Sequence, residues 1–167
     1  GQQPGGTVTV EGGNAAQVGG GVIIEGGFGQ SAASVGGIVA LDGGSSLFNG
    51  GDVQISGGGG NMGAAGNVHV RGGSSQTGAS GSVDISSADA VRAQSSGDVR
   101  LSTGATSEAY AGSIFVSAGS AVGSGAHPSN GGSVAISSGP GSSEGGSVSI
   151  ASAGTVSIAG ASNVAVA

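Results

Sequence analysis

The chain contains no cysteine, no tryptophan and no lysine. Without cysteine there is neither a disulfide framework nor a thiolate metal site, and the redox state of the compartment places no constraint on folding. Basic side chains are limited to Arg71, Arg92, Arg100 and the two histidines, against nine acids, for a net charge of −6. No basic patch can be assembled, which excludes a nucleic-acid partner or an anionic membrane surface. Aromatic residues make up 2% of the chain and charged residues 7%, so a conventional globular core built on large side chains is excluded as well. No apolar run approaches the roughly 20 residues that span a bilayer as a helix, and nothing at the N-terminus has the form of a signal peptide. The sequence begins at Gly1 and its only methionine is Met62, as expected of a processed product or of a segment of something longer.

What is abundant is glycine, 41 residues of 167. Glycine with serine and few aromatics usually means disorder, but disordered chains do not place Val and Ile at fixed intervals. This chain does. A motif G-x-V-x-[VIL] recurs with aliphatic pairs at Val8/Val10, Val22/Ile24, Val39/Leu41, Val53/Ile55, Val68/Val70 and Val83/Ile85. It continues at Val99/Leu101, Ile114/Val116, Val134/Ile136, Val148/Ile150 and Val164/Val166. The steps between successive pairs are 14, 17, 14, 15, 15, 16, 15, 20, 14 and 16 residues, a repeat near fifteen that covers the whole chain. In an extended chain, residues two apart share a face, so each pair reads as a short half-buried strand. The flanking glycines read as corners that permit positive φ and close backbone approach.

Between Val83 and Val99 stands Val91, and between Val148 and Val164 stands the pair Val156/Ile158, each eight residues from its neighbours. The repeat therefore divides into two half-turns, with small residues such as Asn14, Ala15 and Ala16 filling the second half elsewhere. This pattern predicts an all-β fold: a β-solenoid of about 15-residue, two-walled flattened coils, in which a Val/Ile wall faces a Gly/Ala/Ser wall. About eleven rungs at ~4.8 Å would build a rod of roughly 50 Å. One rung cannot fold alone, because two buried aliphatic side chains contribute about 3–6 kcal/mol while fixing fifteen backbones costs about 1–2 kcal/mol each. Stability must come from stacking. The expected domain organisation is a single repeat domain over 1–167, a portion of a longer solenoid or a filament subunit without caps, since the first and last rungs are ordinary copies with nothing polar covering them. The long step of 20 contains Pro128, which cannot donate to a ladder, and predicts a protruding loop. The step of 17 places Phe28 at another corner.

The outward position between paired aliphatics reads Thr9, Ile23, Ala40, Gln54, His69, Asp84, Arg100, Phe115, Ala135, Ser149 and Ala165. In a stacked coil His69, Asp84 and Arg100 would sit on successive rungs, with Asp84 between two potential donors. Such a column suits either acid/base or glycan-binding chemistry or a plain surface ion ladder that contributes little in water. A second column begins Glu11, Glu25 and Asp42, where a bridging calcium ion is one reading and a solvated acidic face the other. The ligand spacing of calcium loops is missing. His127 beside Pro128 has no accompanying metal-ligand pattern. Glycine strings such as 57–60 lead into no helix and no Gly-Lys-Ser/Thr, the serines have no paired base, and there is no N-x-S/T sequon. Thr7 and Thr9 are a single copy of a pattern that an ice-binding face would need throughout.

The G-G-x-V-x-I-x-x-G units resemble the Gly/Ser-rich repeats of very large secreted surface proteins, found in bacterial adhesins and in algal or protist extracellular fibres. The closely spaced triplet at Val148, Val156 and Val164 is similar to haemagglutinin-type adhesin repeats. The resemblance implies a β-solenoid working as a stalk, filament or adhesive at the cell surface or outside the cell. The uncapped end rungs make other copies of itself the expected main partner, with glycans as a further one, and the residues read above predict no enzyme activity, no cofactor and no membrane insertion. The competing expectation is a carbohydrate-binding or polysaccharide-cleaving β-helix using His69, Asp84 and Arg100, and a third is a disordered Gly/Ser linker.

Overall fold

Alternating small and β-branched residues between glycine pairs favour an extended backbone, and the glycines set how closely neighbouring stretches approach. A computed structural model of the chain describes residues 4–31, 33–91, 94–123 and 129–160. Among these residues there is no helix and no β-strand. The all-β solenoid expected from the pattern is therefore not the fold: the Val/Ile pairs recur without pairing into ladders. Only eight backbone–backbone hydrogen bonds occur among the described residues, whereas a folded domain carries about one per residue. The rod length expected from strand spacing loses its basis with the strands.

The period survives in another form. Seven of the eight bonds have one design, in which a glycine N–H reaches back across a loop to a glycine carbonyl: Gly20 to Gly13, Gly37 to Gly27, Gly51 to Gly44, Gly66 to Gly58, Gly81 to Gly73, Gly132 to Gly119 and Gly146 to Gly139, at 2.7–2.9 Å. The enclosed loops hold 6, 9, 6, 7, 7, 12 and 6 residues. Subtracting each loop from the corresponding pair-to-pair step (14, 17, 14, 15, 15, 20 and 14) leaves eight every time. The chain is thus built of invariant eight-residue segments, from donor glycine to acceptor, separated by loops that absorb all variation in the period. Residues 20–27, 37–44, 51–58 and 66–73 are such segments. Every one from residue 6 onward to the segment opening at residue 154 starts with glycine and carries its aliphatics at the third and fifth places.

The loops turn where the pattern anticipated a second wall. The chain bends at residues 16–18, 47–48, 61–63, 76–78, 107–109 and 142–144, each near the middle of its loop, and at Ser31 in the nine-residue loop, where Ser34 N–H donates to Ser31 O at 2.9 Å. Asn14, Ala15, Ala16 and their counterparts are loop residues, so the Gly/Ala/Ser wall is not formed. In the long step Gly132 N–H donates to Gly119 O; the protruding loop expected at Pro128, with His127 beside it, lies outside the described residues, as do Val164, Val166, Ala165 and Arg92.

Among the described residues none is buried. The expected core residues are half-exposed instead, and their exposure keeps the repeat. The third-place residues Val22, Val39, Val53, Val68, Val83, Val99, Ile114, Val134, Val148 and Val156 are 46 to 59% exposed. The fifth-place residues Val10, Ile24, Leu41, Ile55, Val70, Ile85, Leu101, Val116, Ile136, Ile150 and Ile158 are 67 to 77% exposed. Val8 is an exception among the third-place residues, at 88% exposed.

The chain falls into two units, Gly1–Asp84 and Ile85–Ala167. The division lies inside segment 81–88, the first whose seventh residue is not glycine. In the first unit the seventh places are Gly12, Gly26, Gly43, Gly57 and Gly72. A Cβ on any of these would run into the carbonyl oxygen of the glycine that opens the next segment. In the second unit Ser87, Thr103, Ala118, Ser138 and Ser152 take that place, and glycine returns at Gly160 in the segment opening at residue 154. The two glycine closures of this unit, Gly132 to Gly119 and Gly146 to Gly139, measure 2.9 Å, and the Cβ of Ser138 lies 3.3 Å from where a Cβ on Gly146 would stand. None of these stem glycines has φ in the left-handed region. Close approach, and not positive φ, is what demands glycine here.

Candidate functional site

In an extended segment the second, fourth and sixth side chains share the face opposite the aliphatic pair. Among the described residues the fourth-place side chains are exposed, Ile23 and Phe115 included, but the aliphatic pairs are open to water too, so exposure does not single this face out. His69 shares its face with Asn67 and Arg71, Asp84 with Ser82 and Ser86, and Arg100 with Asp98 and Ser102.

The column expected from His69, Asp84 and Arg100 is not assembled by hydrogen bonds. Arg100 donates through Nη2 to Oδ2 of Asp98 at 2.7 Å, its neighbour two residues back on the same face. Asp84 and His69 make no hydrogen bond among the described residues, and both are exposed. The sequence reading overlooked Asp98. Its signal was the i, i+2 spacing to Arg100, which brings two side chains together on one extended segment without any need for rung stacking. With side chains 84% and 69% exposed, the pair is solvated and contributes about 0–1 kcal/mol.

Glu11, Glu25 and Asp42 recur at the sixth place of three successive segments, yet they do not gather: among the described residues no three acids or histidines lie close enough to hold one ion. Nor is there a pocket among the described residues. The polar contacts that do exist serve the loops. Gly78 N–H donates to Ser75 Oγ at 2.9 Å, Phe48 N–H to Ser46 Oγ at 3.2 Å, and Ser31 N–H to Ser34 Oγ at 3.0 Å. Each is a hydroxyl capturing a nearby amide inside a bend, the local bond that makes serine a turn former. Thr103 Oγ1 instead spans a loop, donating to Gly112 O at 3.1 Å, a side-chain version of the glycine closure.

The most extensive repeated apolar surface among the described residues is the aliphatic series. Its third-place side chains are about half open to water and its fifth-place side chains more so, in each unit. The total accessible surface of 16536 Å² lies between the roughly 7,000 Å² of a compact monomer of this mass and the roughly 22,000 Å² of its extended chain. No protein-family model matches the chain, and comparison with curated proteins and with solved structures returned no match.

Proposed function

We propose that this chain is a structural protein of the cell exterior, a repetitive portion of a fibre or stalk that works by associating with further copies of itself. The observation that carries this reading is the regular aliphatic series: third- and fifth-place Val, Ile and Leu side chains at 46 to 77% exposure, set in segments of invariant length. Large ordered apolar arrays on a chain surface mark association sites. Completing the burial of one fifth-place isoleucine contributes about 1–2 kcal/mol, and repetition multiplies that gain while each segment presents the same spacing to its partner. The extracellular location rests on the resemblance of the Gly/Ser-rich repeats to those of secreted surface proteins. Adhesion is a further role that such a fibre would support.

Light scattering and electron microscopy of the full chain over a wide concentration range test the proposal. Concentration-dependent growth of elongated particles is the expected result. A chain that stays monomeric up to its solubility limit would end the proposal.

A further inference from the structure

Two of the loops contain Asn followed by Gly at the same place, directly before the glycine that closes the loop: Asn49-Gly50 before Gly51, and Asn130-Gly131 before Gly132. We propose that these two asparagines are sites of spontaneous deamidation, which installs new carboxylates beside the loop closures. The reaction requires the backbone nitrogen of the following residue to reach the asparagine side-chain carbonyl carbon. That nitrogen attacks Cγ as its proton leaves to water; the new C–N bond closes a five-membered succinimide, and the Cγ–Nδ2 bond breaks to release ammonia. Water then opens the ring at either carbonyl to give aspartate or isoaspartate. No oxidant, cofactor or second protein takes part.

Exposure is shared by Asn14, Asn61 and Asn67; what sets these two asparagines apart is the glycine that follows each of them. Asn49 and Asn130 are exposed, and the amide nitrogens of Gly50 and Gly131 make no hydrogen bond among the described residues, so neither nucleophile is committed to another partner. A Cβ on Gly50 or Gly131 would meet only a carbonyl oxygen, Gly44 O at 3.6 Å or Gly119 O at 3.7 Å, so there is room for the backbone to rotate into the attacking geometry. Glycine permits that rotation and puts no side chain in the way. The chain carries its own controls. Asn14 precedes Ala15, Asn61 precedes Met62, and Asn67 precedes Val68, whose branched Cβ restricts the backbone and screens the nitrogen.

The product matters because of where it forms. Isoaspartate routes the main chain through the side-chain carbonyl and adds one methylene two residues before the N–H that closes the loop. Two new carboxylates also take the net charge from −6 to −8.

Peptide mapping of the full chain, incubated at neutral and mildly alkaline pH, tests this. Expected are gains of about 1 Da at Asn49 and Asn130, with aspartate and isoaspartate resolved chromatographically. Both should convert roughly tenfold or more faster than Asn67. Gly50→Val should suppress conversion at Asn49 and leave Asn130 unchanged. Equal rates at Asn49 and Asn67, or undiminished conversion at Asn49 in the Gly50→Val chain, would overturn the proposal.

Discussion

Gly43 and Gly44 stand side by side under opposite constraints. A Cβ on Gly43 would collide with the carbonyl oxygen of Gly51, whereas a Cβ on Gly44 meets nothing within 4 Å. Gly43→Ala should therefore pry the stem apart and cost the Gly51-to-Gly44 hydrogen bond, while Gly44→Ala should keep it. A net backbone bond contributes about 0.5–1.5 kcal/mol, so amide exchange at Gly51 should speed up roughly 2- to 12-fold in the first variant and remain near its original rate in the second. Hydrogen exchange read by NMR decides this, and equal rates in the two variants would remove close packing as the reason for glycine at the seventh place. At Asp98 the expectation is the reverse: Asp98→Asn breaks an ion pair that water already screens, so it should change stability and assembly by less than about 0.5 kcal/mol.

At the scale of the element, an eight-residue segment is fixed and a loop is free. Three residues inserted between Ser46 and Leu47 lengthen a six-residue loop to nine, as in the natural loop before Gly37, at a closure cost of roughly 0.4 kcal/mol. The Gly51 amide should keep its protection. One residue inserted between Gly51 and Val53 moves the pair out of register with its neighbours, and should impair assembly far more than the three-residue loop insertion does. Much of this was legible beforehand. The pairs and their spacing follow from Val, Ile and Gly alone, because side-chain alternation and turn chemistry are local properties. Strand pairing is not local. Val22 and Val39 have the same neighbours in sequence whether or not their backbones bond to each other, so the periodic pattern suggested a ladder that the chain does not form. Asn14, Ala15 and Ala16 were misread as a wall for a related reason: small residues serve equally in a thin core and in a bend, and only the Gly20-to-Gly13 bond distinguishes them. The His69–Asp84–Arg100 column depended on stacked rungs and failed with them, while Arg100 found the nearer Asp98.

For the whole chain, the absence of any buried residue among those described means that warming a dilute sample exposes little new apolar surface and so raises the heat capacity little, since that increment follows apolar surface exposed. Scanning calorimetry should show no cooperative peak at low concentration and should gain one as copies associate. Because every copy carries −6, salt should lower the concentration at which association begins, with most of the effect complete near ~0.1 M, where the screening length falls to about 10 Å. Substituting the fifth-place Ile24, Ile55 and Ile136 by serine should raise that concentration more than the same change at Val22, Val53 and Val134, because the fifth-place side chains have more surface left to cover. The glycine clasps carry a mechanical consequence. Each fastens a loop of 6 to 12 residues with one solvent-exposed bond, and so stores slack of roughly 20 to 40 Å of contour at ~3.4 Å per residue. A chain pulled at its ends would let out that slack loop by loop under very small forces and take it up again on release, a compliance that optical-tweezer stretching would record as smooth, hysteresis-free extension.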